Sequence, residues 1–267
     1  MIKVALGQFN PELGNKKQNL NKMNQLMKNA VEQNADLILF PELSLTGCNI
    51  HAKAKKLIEP VHGESMNQMQ KWCKELKIYS VFAWPELGED GKTYNSTCLI
   101  SNQGEVLGVY RKVHPWGPEK QTFFAGDAFK VFDTEIGRIG LIICYDLDFP
   151  ESMRTLKVNQ ADIILVSTAN MKPYQAYQET YLKSRSMENE IPVAICNRTG
   201  FEGDSIYFGE SAIYDAFGQN YIKMGEHTGI KTVNVPIKQN LDPELQYMKN
   251  RKPDSYRDIS NSRSFIQ

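Results

Sequence analysis

The stretch GLIICYDLDFPE, residues 140–151, joins a buried strand to a helix through a single thiol. Leu141, Ile142 and Ile143 form a continuous apolar run, the pattern of a strand covered on both faces. The run stops at Cys144, and Pro150-Glu151 suits the first turn of a helix. In open α/β sheets, ligands bind in the crevice beyond the carboxyl ends of the strands. A thiol at a strand exit is therefore a candidate nucleophile. Taken alone, the stretch favours an inert cysteine, because free Cys is among the most buried residue types.

The segments around it repeat. A helix near Pro150–Leu156 leads to ADIILV at 161–166, which nearly repeats ADLILF at 35–40. The earlier copy also follows a strand and a helix. The strand covers Ile2–Phe9, and the helix covers Asn19–Val31 with Leu20, Met23, Met27 and Val31 at helical spacing. The chain thus reads as two related halves. Further helices are expected near His51–Leu57, Ser65–Leu76 and Tyr174–Asn189. Strands are expected at Tyr79–Trp84, Thr93–Ile100, Val106–Tyr110, Pro192–Cys196, Ser211–Asp215, Tyr221–Met224 and Thr232–Val235, with two short ones bracketing Ile136-Gly137. Asn102-Gln103-Gly104 and Gly218 turn hairpins. Alternating strands and helices give an α/β class, and the hairpins make the sheets mixed. Arg111 to Ala128 is a long loop, and loops of that length in compact domains are usually functional. Residues 248–267 are polar and basic, and read as a surface tail or an arm onto a partner beyond a domain at 1–247.

The 267 residues fit one large α/β domain or two small ones, and a single domain of this size buries roughly three quarters of its unfolded surface and needs no staples. Its 31 basic and 31 acidic residues balance, which speaks against nucleic acid and points to a small substrate. No segment approaches the ~20 apolar residues that span a bilayer. MIKVALGQF is too short an apolar run for a signal peptide, so the expected location is the cytoplasm. Five dispersed cysteines argue against disulfides and CxxC zinc or redox sites, and four histidines show no HExxH or tight metal-binding spacing. Two N-x-T sequons, at Asn95 and Asn197, have no meaning without secretion.

Three reactive groups sit at or just past strand exits: Glu42 after ADLILF, Lys112 after the hairpin strand ending at Tyr110, and Cys144. A carboxylate can act as base for a thiol, and a lysine can hold charge appearing on a substrate oxygen. Each also has a plainer explanation. Glu42 could cap the next segment, Lys112 could pair in solvent with Arg111, and Glu119 with Lys120 could be a loop ion pair. His114 could instead serve Cys144 as in papain-like enzymes, although no CGSCW signature surrounds the cysteine.

Several motifs resemble the nitrilase (carbon–nitrogen hydrolase) superfamily. They are PEL-x-LTG at 41–47, YRKVH at 110–114, GLIICYD-x-x-FPE at 140–151, SRSMENEIPVAICNR at 184–198 and FGESAIYD at 208–215. The resemblance runs to RKPDSY at 251–256. It implies an α-β-β-α sandwich, a Glu-Lys-Cys triad carried by Glu42, Lys112 and Cys144, and Glu119 as an additional supporting glutamate. It implies no cofactor or metal, and it implies association as a homodimer or higher homo-oligomer. Asp148 stands where family amidases often have Arg, and Ala216 where Pro is common. Tyr145-Asp146 replaces the Trp-Glu pair of true nitrilases, which resembles the amidase branches. The expected reaction is hydrolysis of a small amide, aliphatic or ω-carboxyl, through a thioester. Tyr145 is expected to supply a backbone N–H to the oxyanion. Trp116, Phe123 and Phe124 of the long loop, with Asn170, Met171 and Tyr174 after ADIILV, are candidates to wall the pocket, the plainer reading of the aromatics being ordinary core or interface. Lys112→Ala is expected to cost rate rather than fold. Nitrile hydrolysis and a non-catalytic binding homologue are the alternatives.

Overall fold

Successive side chains of β1 (Ile2–Gln8) serve two different cores: Val4 and Leu6 enter one, Ala5 the other. That alternation is the period of a strand with both faces covered. It recurs in β2 (Leu37–Leu39) and β3 (Tyr79–Leu87), where Leu37, Leu39 and Val81 oppose Ile38 and Phe82. The computed structural model describes residues 1–50, 54–240 and 243–260.

The first sheet adds β4 (Thr93–Ile100), β5 (Val106–Arg111) and β14 (Gly229–Val235), in the order β14-β1-β2-β3-β4-β5. Its centre, β1-β2-β3, is parallel and its flanks are antiparallel. The second sheet holds β6 (Val131–Thr134), β7 (Gly137–Ile143), β8 (Ile163–Thr168), β9 (Val193–Asn197), β12 (Ala212–Tyr214) and β13 (Asn220–Lys223). Its order is β13-β12-β9-β8-β7-β6, again with a parallel centre, β7-β8-β9. A separate hairpin joins β10 (Thr199–Glu202) and β11 (Ser205–Phe208).

Helices α1 (Lys16–Glu32) and α3 (Glu64–Leu76) cover the outer face of the first sheet, packing Met23, Met27, Met66 and Met69 onto Ile38 and Phe82. A larger core holds Leu6 and Leu39 of the first sheet with Leu141 and Leu165 of the second. It also takes in Met153 and Leu156 of α4 (Pro150–Val158) and Leu182 of α5 (Gln175–Asn189). The layers therefore run α-β-β-α, with related halves on either side of the sheet interface. Each fully buried Leu or Ile in these cores contributes about 1.5–3 kcal/mol.

Several element bounds differ from expectation for local reasons. α1 starts at Lys16 because the Asn15 side chain caps it, accepting from Gln18 N at 3.1 Å. β2 is shorter than ADLILF. The helix expected at His51–Leu57 is present as α2 (Ala54–Leu57), and residues 51–53 lie outside the described residues. The long loop contains a 3-10 turn, Gly117–Gln121, and the expected tail contains another, Pro253–Ser260, with no buried residue. Among the described residues no helix is long and apolar enough to cross a membrane.

Candidate active site

At the end of β7 the chain folds at once into a 3-10 turn, Cys144–Asp148. Cys144 begins it with φ +48°, a left-handed conformation that costs a non-glycine residue about 1–3 kcal/mol. Asp146, wholly buried, holds the turn in place. Its Oδ2 accepts from Ile143 N at 3.1 Å and from Tyr110 Oη at 2.7 Å, and its Oδ1 accepts from His114 N at 2.9 Å. His114 Nδ1 lies 2.8 Å from the same Oδ1, and the ring stacks on Phe149 at 3.8 Å. The alternative pairing of His114 with Cys144 is thereby corrected: the imidazole is committed to Asp146, beneath the turn.

Glu42 lies just past β2, and its N donates to Thr168 O at the end of β8 (3.3 Å), tying the strand exits of the two sheets together. Lys112 follows β5 directly. Its Nζ is 2.7 Å from Glu42 Oε1 and 2.6 Å from Glu119 Oε1. Lys112 is 2% exposed and Glu42 4%, so neither is a solvated surface charge. Arg111 turns away to Glu86, with contacts of 2.9 and 2.6 Å. Asn95 on β4 bridges the carboxylates, donating to Glu42 Oε1 at 2.7 Å and Glu119 Oε2 at 3.2 Å. Glu119 also accepts from Trp116 N and so does not depend on Lys120.

Burial alone would push the Lys112 ammonium down, but Glu42, Cys144 and Glu119 together hold it well above its ordinary value. Burial, reinforced by Glu42, pushes the Glu119 carboxyl up against the pull of Lys112. Burial likewise pushes the Cys144 thiol well up, and Glu42 adds to this more than Lys112 subtracts. With its thiol pushed up in this way, Cys144 needs a base to remove its proton before it can attack.

Glu42, Lys112, Glu119 and Cys144 all open onto one cavity of about 390 Å³, and Trp116, Tyr145, Asn170, Met171 and Tyr174 line it too. The expectation for Phe123 and Phe124 is corrected: Phe123 packs with Leu43, Ile50 and Leu57 in a small core of its own, and Phe124 lies exposed against Tyr94. Cys144 Sγ donates to Asn170 Oδ1 at 3.4 Å. Asn170 is fixed by Asn197, through bonds of 2.8 and 3.1 Å, and by Gln178 at 3.0 Å. The unexpected hairpin contributes Ser205 and Tyr207 to the wall. Its root is the buried Arg198, whose Nη1 donates to Glu202 Oε2 at 2.7 Å. Glu202 Oε1 in turn accepts from Cys48 N (2.9 Å) and Asn49 N (2.7 Å), pinning the facing loop.

Asn95, Asp146, Asn197 and Glu202 were not among the sequence-derived site residues. The two asparagines carried a signal, but it read as glycosylation sequons; both are buried here. Among the described residues no group of three or more His, Cys, Asp or Glu side chains is arranged to hold a metal ion. A thiol, a carboxylate and an ammonium meeting in one cavity suit covalent acyl chemistry.

Comparison with known proteins agrees with this chemistry. The carbon–nitrogen hydrolase family model matches residues 3–239. An (R)-stereoselective amidase of Pseudomonas sp is 31% identical, over 81% of this chain and 80% of its own. A nitrilase of Pyrococcus abyssi is 34% identical, over 80% of this chain and 81% of its own. The solved amidase from Nesterenkonia sp. AN1 superposes with TM-score 0.86 at 27% identity, covering 96% of each chain. In that structure the acetamide moiety of fluoroacetamide is covalently added at the active-site cysteine.

Proposed function

The chain belongs to the carbon–nitrogen hydrolase family, and we propose that it is a cysteine amidase converting a small carboxamide to carboxylate and ammonia through a thioester. The observation that carries this reading is the Lys112 ammonium, held 2.7 Å from Glu42 and 2.6 Å from Glu119, opening with Cys144 onto one cavity.

Glu42 takes the thiol proton and the Cys144 sulfur bonds to the amide carbon. The resulting oxyanion faces Lys112 Nζ and the backbone N–H of Tyr145. N–H groups at the start of a helical turn have no partner within it, and so remain available to a ligand. Losing one such donor costs on the order of 3–4 kcal/mol in the transition state. Glu42 then gives its proton to the departing nitrogen as the C–N bond breaks. It next deprotonates water, which attacks the thioester; the C–S bond breaks and the thiol is restored. Glu119 holds Lys112 in place from the long loop. A cytoplasmic location and a homodimer or higher homo-oligomer complete this reading.

A panel of amides and nitriles with ammonia detection tests it. The wild-type chain should release ammonia from amides, and Cys144→Ala should lower kcat by at least about a thousandfold. An unchanged rate in Cys144→Ala would sink the assignment. Hydrolysis of nitriles alone would move the chain to the nitrilase reading, and no turnover of either class to a binding role.

A further inference from the structure

The charge of the cavity wall bears on the rest of the substrate, an inference that rests on the amidase reading. Among the described residues, the charged side chains lining the cavity are three acids, Glu42, Glu119 and Asp148, and one base, Lys112. Lys112 is already spent between Glu42 and Glu119. Among the described lining residues, no charged group is left over to receive an anion.

Asp148 differs from the other two acids. It closes the turn that Cys144 begins, and its carboxylate makes no hydrogen bond or ion pair with a described residue. Arg185 is near but directs its donors elsewhere: Nε to Leu147 O (3.3 Å), Nη2 to the main-chain O of Asp148 (2.9 Å), and Nη1 to Glu188 (3.1 Å). Burial pushes the Asp148 carboxyl up to about 6, outweighing the pull of Arg185 and Lys112, with Asp146 adding to the rise. Aromatic side chains share the wall: Trp116, Tyr145, Tyr174, Tyr177 and Tyr207. A carboxylate with no hydrogen-bond partner of its own, set among aromatic side chains, suits an ammonium group and repels a carboxylate.

We propose that the substrate is a small carboxamide bearing a basic amine, whose ammonium is received by Asp148 and the aromatic wall. The ω-carboxyl amides expected from sequence are disfavoured by the same charge. The position next to the nucleophile that breaks the family pattern thus acquires a role in substrate choice.

The test compares 4-aminobutanamide, pentanamide and the monoamide of glutaric acid, which are of similar length and carry opposite or no charge. In the wild type, kcat/KM should fall in that order, with an amine-to-carboxylate ratio on the order of a hundredfold. In Asp148→Asn the amine-to-neutral ratio should drop about tenfold. A wild type that favours the neutral or anionic amide overturns the proposal, as does an unchanged ratio in the variant. If no amide is cleaved at all, the amidase reading fails instead. Charge preference is then read on the thiol, using aminoethyl and sulfonatoethyl methanethiosulfonate. The Cys144 thiolate bonds to the reagent's sulfenyl sulfur and methanesulfinate leaves, and peptide mass separates Cys144 from Cys48. The cation-to-anion rate ratio should fall about tenfold in Asp148→Asn, and an unchanged ratio overturns the proposal.

Discussion

Asp148 costs the fold something. Folding raises its carboxyl from 3.8 to about 6, chiefly because burial penalises the ionised form. Between those two values the native state keeps a proton that the unfolded chain has released. Stability therefore falls as pH rises through that window, and the loss is complete above it. Asparagine carries no such penalty. Asp148→Asn should be more stable than wild type at about pH 7.5, by about 1–2 kcal/mol once the solvent-facing side is allowed for. By about pH 4.5 the gain should shrink by more than half, because the wild-type carboxyl is then protonated in the fold. Thermal melts of both proteins at the two pH values check this; equal gains at both would exclude ionisation as the source. Other residues were legible to different degrees. Glu42, Lys112 and Cys144 stand out in sequence because each ends an apolar strand abruptly. The surroundings of Lys112 are another matter. Beside Arg111 it reads as a solvated pair, yet it is buried between two carboxylates. Truncating it strands both, so the expectation that Lys112→Ala costs rate but not fold is revised: loss of a buried partner costs about 3–5 kcal/mol. Asn95 was hidden because its role comes from register. The antiparallel pairing of β4 with β5 brings Lys112 N to Asn95 O, 2.9 Å away, and so sets the amide beside Lys112 and its two carboxylates.

The turn after β7 works as a unit. Its left-handed first residue is retained because Asp146 ties Ile143, Tyr110 and His114 to both of its oxygens. The motif that exposes the thiol is visible in sequence, while its anchor is not, since Tyr110 and His114 arrive from the other side of the long loop's start. Asp146→Asn would place an amide NH₂ against existing N–H or O–H donors whichever way it is turned. We expect a loss of about 2–3 kcal/mol in stability and at least about a tenfold fall in kcat, with KM little changed. Tyr110→Phe removes one donor to Asp146 and the long acceptor contact to Val113 N (3.4 Å), leaves both Asp146 oxygens other partners, and should cost less, about 1–2 kcal/mol. Steady-state kinetics with thermal melts separate the two effects; a defect confined to KM would place the turn in substrate binding instead. The β10–β11 hairpin shows the opposite case. Its strands, TGFE and SIYF, are too short to establish a period, so nothing local announced that it would wall the cavity.

Across the molecule, the repeat of ADLILF in ADIILV was a reliable guide, because β2 and β8 each take the middle of a parallel trio. What the repeat does not encode is closure. β14 leaves the second half and pairs with β1 along Ile2↔Val235 to Gln8↔Gly229, stitching the second half to the first sheet. The inter-sheet core also draws on both halves, through Val4, Leu6 and Leu39 on one side and Leu141, Ile143 and Leu165 on the other. Neither half can open without exposing the other, so the protein should unfold as one unit. The thiols report on this directly. Cys73 and Cys98 are buried in the outer core of the first sheet, and Cys196 in the shared core, whereas Cys48 and Cys144 line the cavity. Under native conditions iodoacetamide should reach Cys144 or Cys48 first. Cys73, Cys98 and Cys196 should follow only through opening of the fold, at one common rate with one common denaturant slope. Pulsed alkylation read by peptide mass measures each site separately. If Cys73 and Cys98 were labelled together but well ahead of Cys196, the first half would be opening on its own, and the shared core would not be what binds the two sheets into a single cooperative structure.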